Sequence, residues 1–326
     1  HGKFYRCPFS ANAHKFNLID KPSARKKHIG SIPTVGGISI ILSLLFYYSF
    51  SDLNNNLQII ILTSLIVFIS GLLDDIFKLS VLSRIVLQSI ACLILISFGF
   101  KIISLGYYEI IGTLNLELLS VPFSIIAIIL LTNSINWVDG IDGLASTTYL
   151  QSYTAINIIL IFNGNVTEFD TLYNLLFINL LIFTFINMNK LPLLKSFLGD
   201  SGSTLIGYLL ASYLIYIYVY NQFTIHPILI AWTVAFPIFN IISVMIIRIS
   251  KLKNPFSPDR LHMHHYLQDI GFSDERVVIM LFCFACTLSF IGSCLFYSFG
   301  SLISLIFFII IFIFYIILNF IYANKN

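Results

Sequence analysis

Acidic and amide side chains recur at short intervals in the segment TNSINWVDGIDGLA. Asn133, Asn136, Asp139 and Asp142 follow one another every third residue, directly after an apolar run. Carboxylate and amide oxygens converging on one point suit a hard cation such as Mg²⁺, and the glycines of the segment allow its backbone to bend or unwind. A capping turn is the alternative, but it would use one Asn and one Asp and leaves the repetition unexplained.

An adjacent pair of acids, Asp74 and Asp75, occurs in the stretch GLLDDIFKLS. Adjacent carboxylates repel each other and, next to lipid, need a compensating cation or metal. Lys78 stands four residues after Asp74, so on a continuing helix the two side chains could pair. The pattern therefore indicates either a reactive site or a plain ion pair at a helix end.

A glycine-rich stretch, FLGDSGSTLIG, contains Asp200 immediately before an apolar run. Glycine-rich backbone entering a helix offers free N–H groups and the positive end of the helix dipole, which favours a phosphate. Asp200 is placed to hold a metal bound to that phosphate. Ser201 or Ser203 as an N-cap is the plainer expectation, and it is compatible with the first.

A cluster of Arg260, His262, His264 and His265 lies in the stretch NPFSPDRLHMHHYL. Three histidines could form a zinc site, but adjacent side chains seldom all reach one ion and no Cys accompanies them. Arg and His also bind a diphosphate, Arg through its fork and His through neutral or charged donors. A solvated loop is the alternative, although two prolines indicate a fixed shape.

The elements that must position these clusters are membrane helices. Hydrophobic residues make up 58% of the chain and charged residues 10%, which excludes an ordinary soluble domain and predicts an all-α polytopic membrane protein. Stretches of about 20 apolar residues mark candidate spans, of which the fourth and sixth are short enough to break at the membrane surface. The ten candidates are 34–51, 57–73, 82–100, 121–136, 144–162, 172–188, 203–221, 225–248, 277–298 and 301–322.

The basic residues predict the orientation of these ten spans. If all ten cross, the loops alternate between two faces, and Lys and Arg collect on the cytoplasmic face. Of the 18 Lys and Arg residues, counting those at adjoining helix ends, only Lys101 lies on the second face. All four polar clusters lie on the basic, cytoplasmic face, which holds the N-terminal segment 1–33 and the loops 74–81, 137–143, 189–202 and 249–276.

The motifs together resemble the polyprenyl-phosphate N-acetylhexosamine 1-phosphate transferases. The resemblance runs in the family's order through DKPSARKKHIGSIPTVGGI, DD, NSINWVDGIDGLA, GDSGS and PFSPDRLHMHH. The spaced HMHH after PFSPDR is similar to the bacterial branch that acts on undecaprenyl phosphate and UDP-GlcNAc. The peptidoglycan branch, which transfers phospho-MurNAc-pentapeptide, typically has consecutive histidines and is the alternative.

The resemblance implies an enzyme that moves a sugar 1-phosphate from a UDP-N-acetylhexosamine to undecaprenyl phosphate and releases UMP. It implies Mg²⁺ as cofactor, with Mn²⁺ as substitute, and a site on the cytoplasmic face of the bacterial inner membrane. The product would begin O-antigen or common-antigen-like glycans. Membrane lipid is an expected partner, a homodimer is allowed, and no nucleic acid is expected.

The resemblance also implies residue roles. Asp200 is expected as the principal metal ligand with Asn136 close to it, and Asp74 or Asp75 deprotonates or orients the lipid phosphate. Asn133 is expected to face the metal and phosphates. The remaining substrate-binding candidates are Lys78, Asp139, Asp142, Arg260, His262, His264 and His265.

Two features depart from the family pattern. Lys78 stands where the nearer branch often has a third acid. Relatives of that branch have eleven spans, whereas ten are visible in a chain that begins at His1, so we expect the family's first helix to be missing. A lipid-sugar or ion-coupled transporter is the rival from another class, but transport predicts polar groups at the bilayer midplane.

Overall fold

The computed structural model describes residues 18–20, 32–164, 171–188, 195–221, 224–257 and 259–324. Most of the predicted N-terminal segment and part of the loop 189–202 lie outside these ranges. The described residues form twelve α-helices: α1 Gly36–Phe50, α2 Asn55–Phe77, α3 Val81–Ser97, α4 Ser120–Val138, α5 Leu144–Phe162, α6 Thr171–Met188, α7 Gly199–Tyr220, α8 Pro227–Thr233, α9 Ala235–Ser250, α10 Met263–Asp269, α11 Asp274–Phe299 and α12 Ser301–Ala323.

The helices confirm the predicted all-α polytopic class. Each of the ten apolar segments forms helix, the eighth as the pair α8 and α9. Within the described ranges, six helices are long and apolar enough to cross a membrane, or seven if the pair α8 and α9 is one span. Apolar helices α1 and α3 are shorter than 18 residues, the length required of a candidate span. The ten spans expected from the sequence therefore include helices that length and composition alone do not identify as membrane-spanning.

The short fourth and sixth segments are the ones in which the sequence allows a break at the membrane surface. The structure instead breaks the eighth segment. Helices α8 and α9 meet at 76°. Pro237 lies four residues after Thr233, so its ring and missing N–H interrupt the helix at the Thr233 carbonyl. Ser152 Oγ donates to that carbonyl at 2.8 Å, which satisfies a backbone group that lipid could not.

The connections gather at two opposite ends of the helix bundle. At one end α2, α4 and α9 finish and α7 begins, and we call it the site end because the polar clusters meet there. At the other end lies an antiparallel pair, β3 Ser104–Tyr108 and β4 Gly112–Asn115. Glu109 between these strands accepts a hydrogen bond from the Ser301 N–H at 2.8 Å.

Helix α7 lies at the centre of the fold. Of its most apolar stretch, 89% is buried inside the protein, against 17% for α12. A second short pair, β1 Ile19–Asp20 with β2 Ile32–Pro33, lies beside the start of α7, where the Phe197 N–H donates to the Pro33 carbonyl at 2.9 Å. The centre of the bundle thus delivers the amino end of α7 to the site end.

Candidate active site

Close packing of α2 on α7 brings two motifs together. Gly71 makes the approach possible, because a Cβ there would lie 2.5 Å from Ser201 Cα. One helical turn later on the same face of α2, the Asp75 carboxylate reaches the amino end of α7. Asp75 Oδ1 accepts the Asp200 N–H at 2.9 Å, and Asp75 Oδ2 accepts the Ser201 N–H at 3.0 Å.

These bonds correct the expectation for the glycine-rich stretch. The N–H groups of Asp200 and Ser201, expected to be free for a phosphate, are occupied by Asp75. Neither Ser201 nor Ser203 is the N-cap of the helix. That position is occupied by Leu198, whose side chain makes no capping hydrogen bond, and Ser203 Oγ donates to the Gly199 carbonyl at 2.9 Å. The cap comes from another helix, and it uses both oxygens of one acid.

Asp74 pairs with a residue that the motif does not contain. Arg84 Nη1 of α3 donates to Asp74 Oδ2 at 2.8 Å. Lys78, the expected partner, ends α2 with a left-handed backbone at φ 54°, so the helix does not continue and the side chain is exposed. Asp74 also interacts with the Asp200 carboxyl. The carboxyl group at the end of α2 therefore lies beside the carboxyl group in the first turn of α7.

Asn136 joins the segment TNSINWVDGIDGLA to the glycine-rich stretch FLGDSGSTLIG. Its Nδ2 donates to Asp200 Oδ1 and to Ser203 Oγ, both at 2.9 Å. The sequence expectation that Asn136 lies close to Asp200 agrees with this contact across 64 residues of chain. Asn133 lies elsewhere: its Nδ2 donates to Gln88 Oε1 on α3 at 2.7 Å rather than to Asp200.

The donor set of Asp74, Asp200 and Asn136 fits a hard cation. Neighbouring carboxylates repel unless a proton or cation lies between them, and carboxylate and amide oxygens are the ligands that Mg²⁺ accepts. Within the described residues, no three His, Cys, Asp or Glu side chains group into a metal cage. Mg²⁺ often binds through one or two carboxylates together with water and substrate phosphate, so a complete protein cage is not required.

The two acids of the segment TNSINWVDGIDGLA, Asp139 and Asp142, lie in the turn between α4 and α5. Asp142 Oδ2 accepts a hydrogen bond from Lys195 Nζ at 2.6 Å. Asp139 follows the last residue of α4, and its N–H donates to the Asn136 carbonyl. Gly143 has φ 79° and packs on the Met188 side chain, so glycine is needed both for the turn and for the close approach.

The histidine motif packs against the same turn. His264 is 2% exposed, and a Cβ at Gly140 would lie 2.3 Å from its Nε2. That nitrogen is buried and has no hydrogen-bond partner. Ring centroids of His264 lie 5.6 Å from His262 and 4.2 Å from His265. The structure therefore brings all three histidines to the Asn136 end of α4.

Burial makes these histidines neutral. It lowers the pKa of His262 to about 3, assisted by the positive charge of Arg248. It also holds the pKa of His264 well below its ordinary value and lowers the pKa of His265. Of the two donor forms considered from the sequence, neutral and charged, this arrangement favours the neutral one.

Arg248, which the sequence motifs do not include, organises the loop before the histidines. It is 1% exposed, and its fork binds Asp259 with Nε–Oδ2 at 2.7 Å and Nη2–Oδ1 at 2.9 Å. Its Nη1 donates to the Pro255 carbonyl at 2.6 Å, and its guanidinium carbon lies 4.6 Å from the Trp137 ring centroid. The sequence signal for Arg248 is a basic residue just inside the end of an apolar segment, and that signal predicts topology rather than a role in the site.

Arg260 pairs with Asp269 at the surface beside the histidines. Its Nη2 lies 3.1 Å from Asp269 Oδ1, and its side chain is 46% exposed. Tyr322 donates to the other oxygen of Asp269 at 2.6 Å. An exposed pair of this kind is weak, so the Arg260 fork remains available to an anion at the site end.

Comparisons with known proteins find related sequences over most of this chain. Residues 57–218 match the model of glycosyl transferase family 4. The undecaprenyl-phosphate alpha-N-acetylglucosaminyl 1-phosphate transferase of Escherichia coli is 34% identical over 288 residues, which are 86% of this chain and 77% of that protein. Proteins with the same name from Salmonella typhi and Pasteurella multocida are 32% identical over 287 residues (86% and 77%) and 31% identical over 276 residues (82% and 76%).

Proposed function

This chain belongs to the family of the undecaprenyl-phosphate alpha-N-acetylglucosaminyl 1-phosphate transferases, and on that premise we propose that it transfers GlcNAc 1-phosphate to undecaprenyl phosphate. UDP-GlcNAc is the proposed donor and UMP the second product. The site end would face the cytoplasm of a bacterial inner membrane, as the basic residues of its loops favour. The lipid-linked sugar would begin a cell-surface glycan.

The proposed reaction is a displacement at phosphorus. A phosphate oxygen of the lipid forms a bond to the β-phosphorus of the nucleotide sugar, while the bond from that phosphorus to the bridging oxygen breaks. UMP leaves with the bridging oxygen. Both substrates are anionic, so the protein must offset their repulsion and hold them in line.

The observation that carries the proposal is the contact of Asn136 with Asp200. It unites two motifs at the point where α4 and α7 meet, beside Asp74. We propose Asp200, Asn136 and Asp74 as the residues that would hold Mg²⁺. When bound, the metal would supply positive charge to the phosphates.

The two adjacent acids are given different roles. Both oxygens of Asp75 accept backbone N–H groups, so Asp75 positions α7. Asp74 is the acid proposed to orient the lipid phosphate, with Arg84 fixing its carboxylate. The second pKa of a phosphate monoester is about 6, so at neutral pH orientation matters more than proton removal.

The nucleotide-sugar substrate would be held by the histidine motif and the turn before α5, on the side opposite the lipid phosphate. Neutral histidines donate single hydrogen bonds to phosphate or sugar oxygens. Arg260, with its exposed fork, is proposed to contact the diphosphate. Asp139 and Asp142 are proposed to shape the nucleotide surroundings, Asp142 together with Lys195.

Full-length protein purified in detergent tests this function. With Mg²⁺, undecaprenyl phosphate and radiolabelled UDP-GlcNAc, we expect a labelled lipid and equimolar UMP, and no UMP when the lipid is omitted. Chelation of Mg²⁺ and Asp200→Asn should each remove the product. Asp52→Asn, an exposed acid between α1 and α2 at the opposite end, is the matched control and should behave like the parent.

Two outcomes overturn the proposal. Absence of lipid product with both UDP-GlcNAc and UDP-MurNAc-pentapeptide would remove the enzyme function, while product with the second donor alone would assign the peptidoglycan reaction. UMP released without lipid acceptor would instead indicate a covalent phospho-enzyme route.

A further inference from the structure

The side-chain amide of Asn240 on α9 has a defined orientation, because a backbone N–H, which can only donate a hydrogen bond, faces one end of it. Asn240 is 1% exposed. Its Oδ1 lies 3.3 Å from the Met263 backbone nitrogen, which can only donate, and it accepts from Tyr315 Oη at 3.3 Å. The Oδ1 position is therefore fixed by a donor that cannot change its role.

The other half of that amide determines the protonation of His262. Asn240 Nδ2 lies 3.3 Å from His262 Nδ1. Because an amide nitrogen only donates, the ring nitrogen facing it must accept and carries no proton. The single proton of a neutral His262 is then on Nε2.

Arg248, two helical turns beyond Asn240 on α9, acts on the same histidine in another way. All three of its guanidinium nitrogens are engaged, two with Asp259 and one with the Pro255 carbonyl. Its face covers Trp137, and Trp137 in turn lies 5.6 Å, edge to face, from His262. Arg248 is thus buried with each guanidinium nitrogen bonded within the protein, and it fixes the surface against which His262 rests.

The charged and titratable groups facing His262 are Arg248, Asp259, His264 and His265. The only anion among them, Asp259, is bound by the fork of Arg248. None of these groups is therefore a carboxylate without a cationic partner that could stabilise a protonated His262. The His262 side chain is also only 7% exposed. Burial then disfavours the charged form.

From this geometry we propose that Asn240 and Arg248 are positioning residues that hold His262 neutral, with its proton on Nε2, as a hydrogen-bond donor to the nucleotide-sugar substrate. The inference rests on the proposed function for the identity of that substrate. His262 would thus recognise the nucleotide-sugar substrate through one directed hydrogen bond rather than through a positive charge.

Asn240→Asp is the sharpest test. The carboxylate keeps an acceptor for Met263 and Tyr315 but replaces the donor that faces His262 Nδ1. A carboxylate there accepts a hydrogen bond from a proton on Nδ1, so the neutral ring loses its Nε2 donor, and protonation of the ring restores that donor. The ratio of kcat/KM at pH 8 to that at pH 6 should therefore fall about fivefold relative to the parent, the loss expected for one hydrogen bond.

Asn319→Asp is the matched control. Asn319 is also 1% exposed, donates to Ser243 at 2.7 Å and contacts Tyr315, so the substitution buries a similar carboxylate without placing it against His262. Its pH ratio should equal that of the parent. If Asn240→Asp does not fold, Asn240→Ala decides, because loss of the donor alone should move the ratio in the same direction by a smaller factor.

A parallel pH profile for parent and Asn240→Asp, with lower activity at every pH, would overturn the proposal in favour of a structural role. If the parent transfers no sugar phosphate, the proposed function fails separately. Nitrogen-15 NMR of labelled histidine, assigned with His262→Gln, then decides the proposal: a neutral ring protonated on Nε2 at pH 7 supports it, and a charged ring or the other tautomer refutes it.

Discussion

The carboxylate of Asp75 accepts the backbone N–H of Asp200 at 2.9 Å. An acid at the end of one helix therefore caps the helix that carries the principal metal candidate. The adjacent Asp74 has a different surrounding, with Arg84 on one oxygen and the Asp200 carboxyl nearby. The adjacent acids divide into one that supports the backbone and one that faces the candidate metal position.

Asparagine substitutions should separate these two acids. Asp75→Asn places an NH₂ group against a backbone donor and should lower the free energy of unfolding by about 1–2 kcal/mol, as loss of a helix cap does. Asp74→Asn should leave the cap intact and lower UMP release by at least about 100-fold. Thermal unfolding in detergent and the transfer assay measure the two effects. The opposite pattern, with Asp74→Asn the more destabilising, would refute the division.

Gly71→Ala should disrupt the site through the helix contact. Its Cβ would lie 2.5 Å from Ser201 Cα and 2.7 Å from the Asp200 carbonyl oxygen, so α2 and α7 must separate. We expect at least a tenfold loss of activity and a destabilisation of about 1–3 kcal/mol, typical of overpacking. Gly99→Ala is the control: it meets no atom within 4 Å, and its φ of 94° predicts a cost of about 1–2 kcal/mol without loss of activity. Equal activity losses in both variants would remove the steric explanation.

The helices and the meeting of the motifs could be predicted from the sequence because both depend on local patterns. Apolar length marks the helices, and the alternation of basic loops assigns their ends. Once Asp74, Asn136, Asp200 and His264 belong to loops of one face, they must lie near one another. The predicted proximity of Asn136 to Asp200 agrees with the structure for this reason.

The partner of each side chain could not be predicted, since it depends on how helices rotate and pack. Asp74 pairs with Arg84 rather than Lys78 because α2 ends in a left-handed residue. Asn133 turns toward Gln88, and no local pattern links these two positions. The sequence marks Arg248 only as a topology signal, because its partners lie in a loop and in another helix.

The Asp142–Lys195 pair should contribute little to stability. Its side chains are 33% and 27% exposed, and partly exposed pairs are worth about 0–1 kcal/mol. Lys195→Met should therefore change the free energy of unfolding by less than about 1 kcal/mol. If the pair shapes the nucleotide surroundings, the same variant should raise KM for UDP-GlcNAc several-fold with kcat nearly unchanged. A large fall in kcat with constant KM would contradict that role.

The buried histidines should make the fold sensitive to mild acid. The pKa of His264 in the folded protein lies well below its ordinary value because of burial, so the neutral ring stabilises the fold above the unfolded pKa of about 6.5. That stabilisation is lost progressively as pH falls below 6.5 toward the folded pKa, by up to about 1.4 kcal/mol per pH unit for one histidine. Thermal unfolding between pH 7.5 and pH 5 should show a falling Tm, and His264→Gln should flatten the slope. Lys101→Gln, at the opposite end of the bundle, should keep the parent slope, and an unchanged slope in His264→Gln would show that this histidine is not the group responsible.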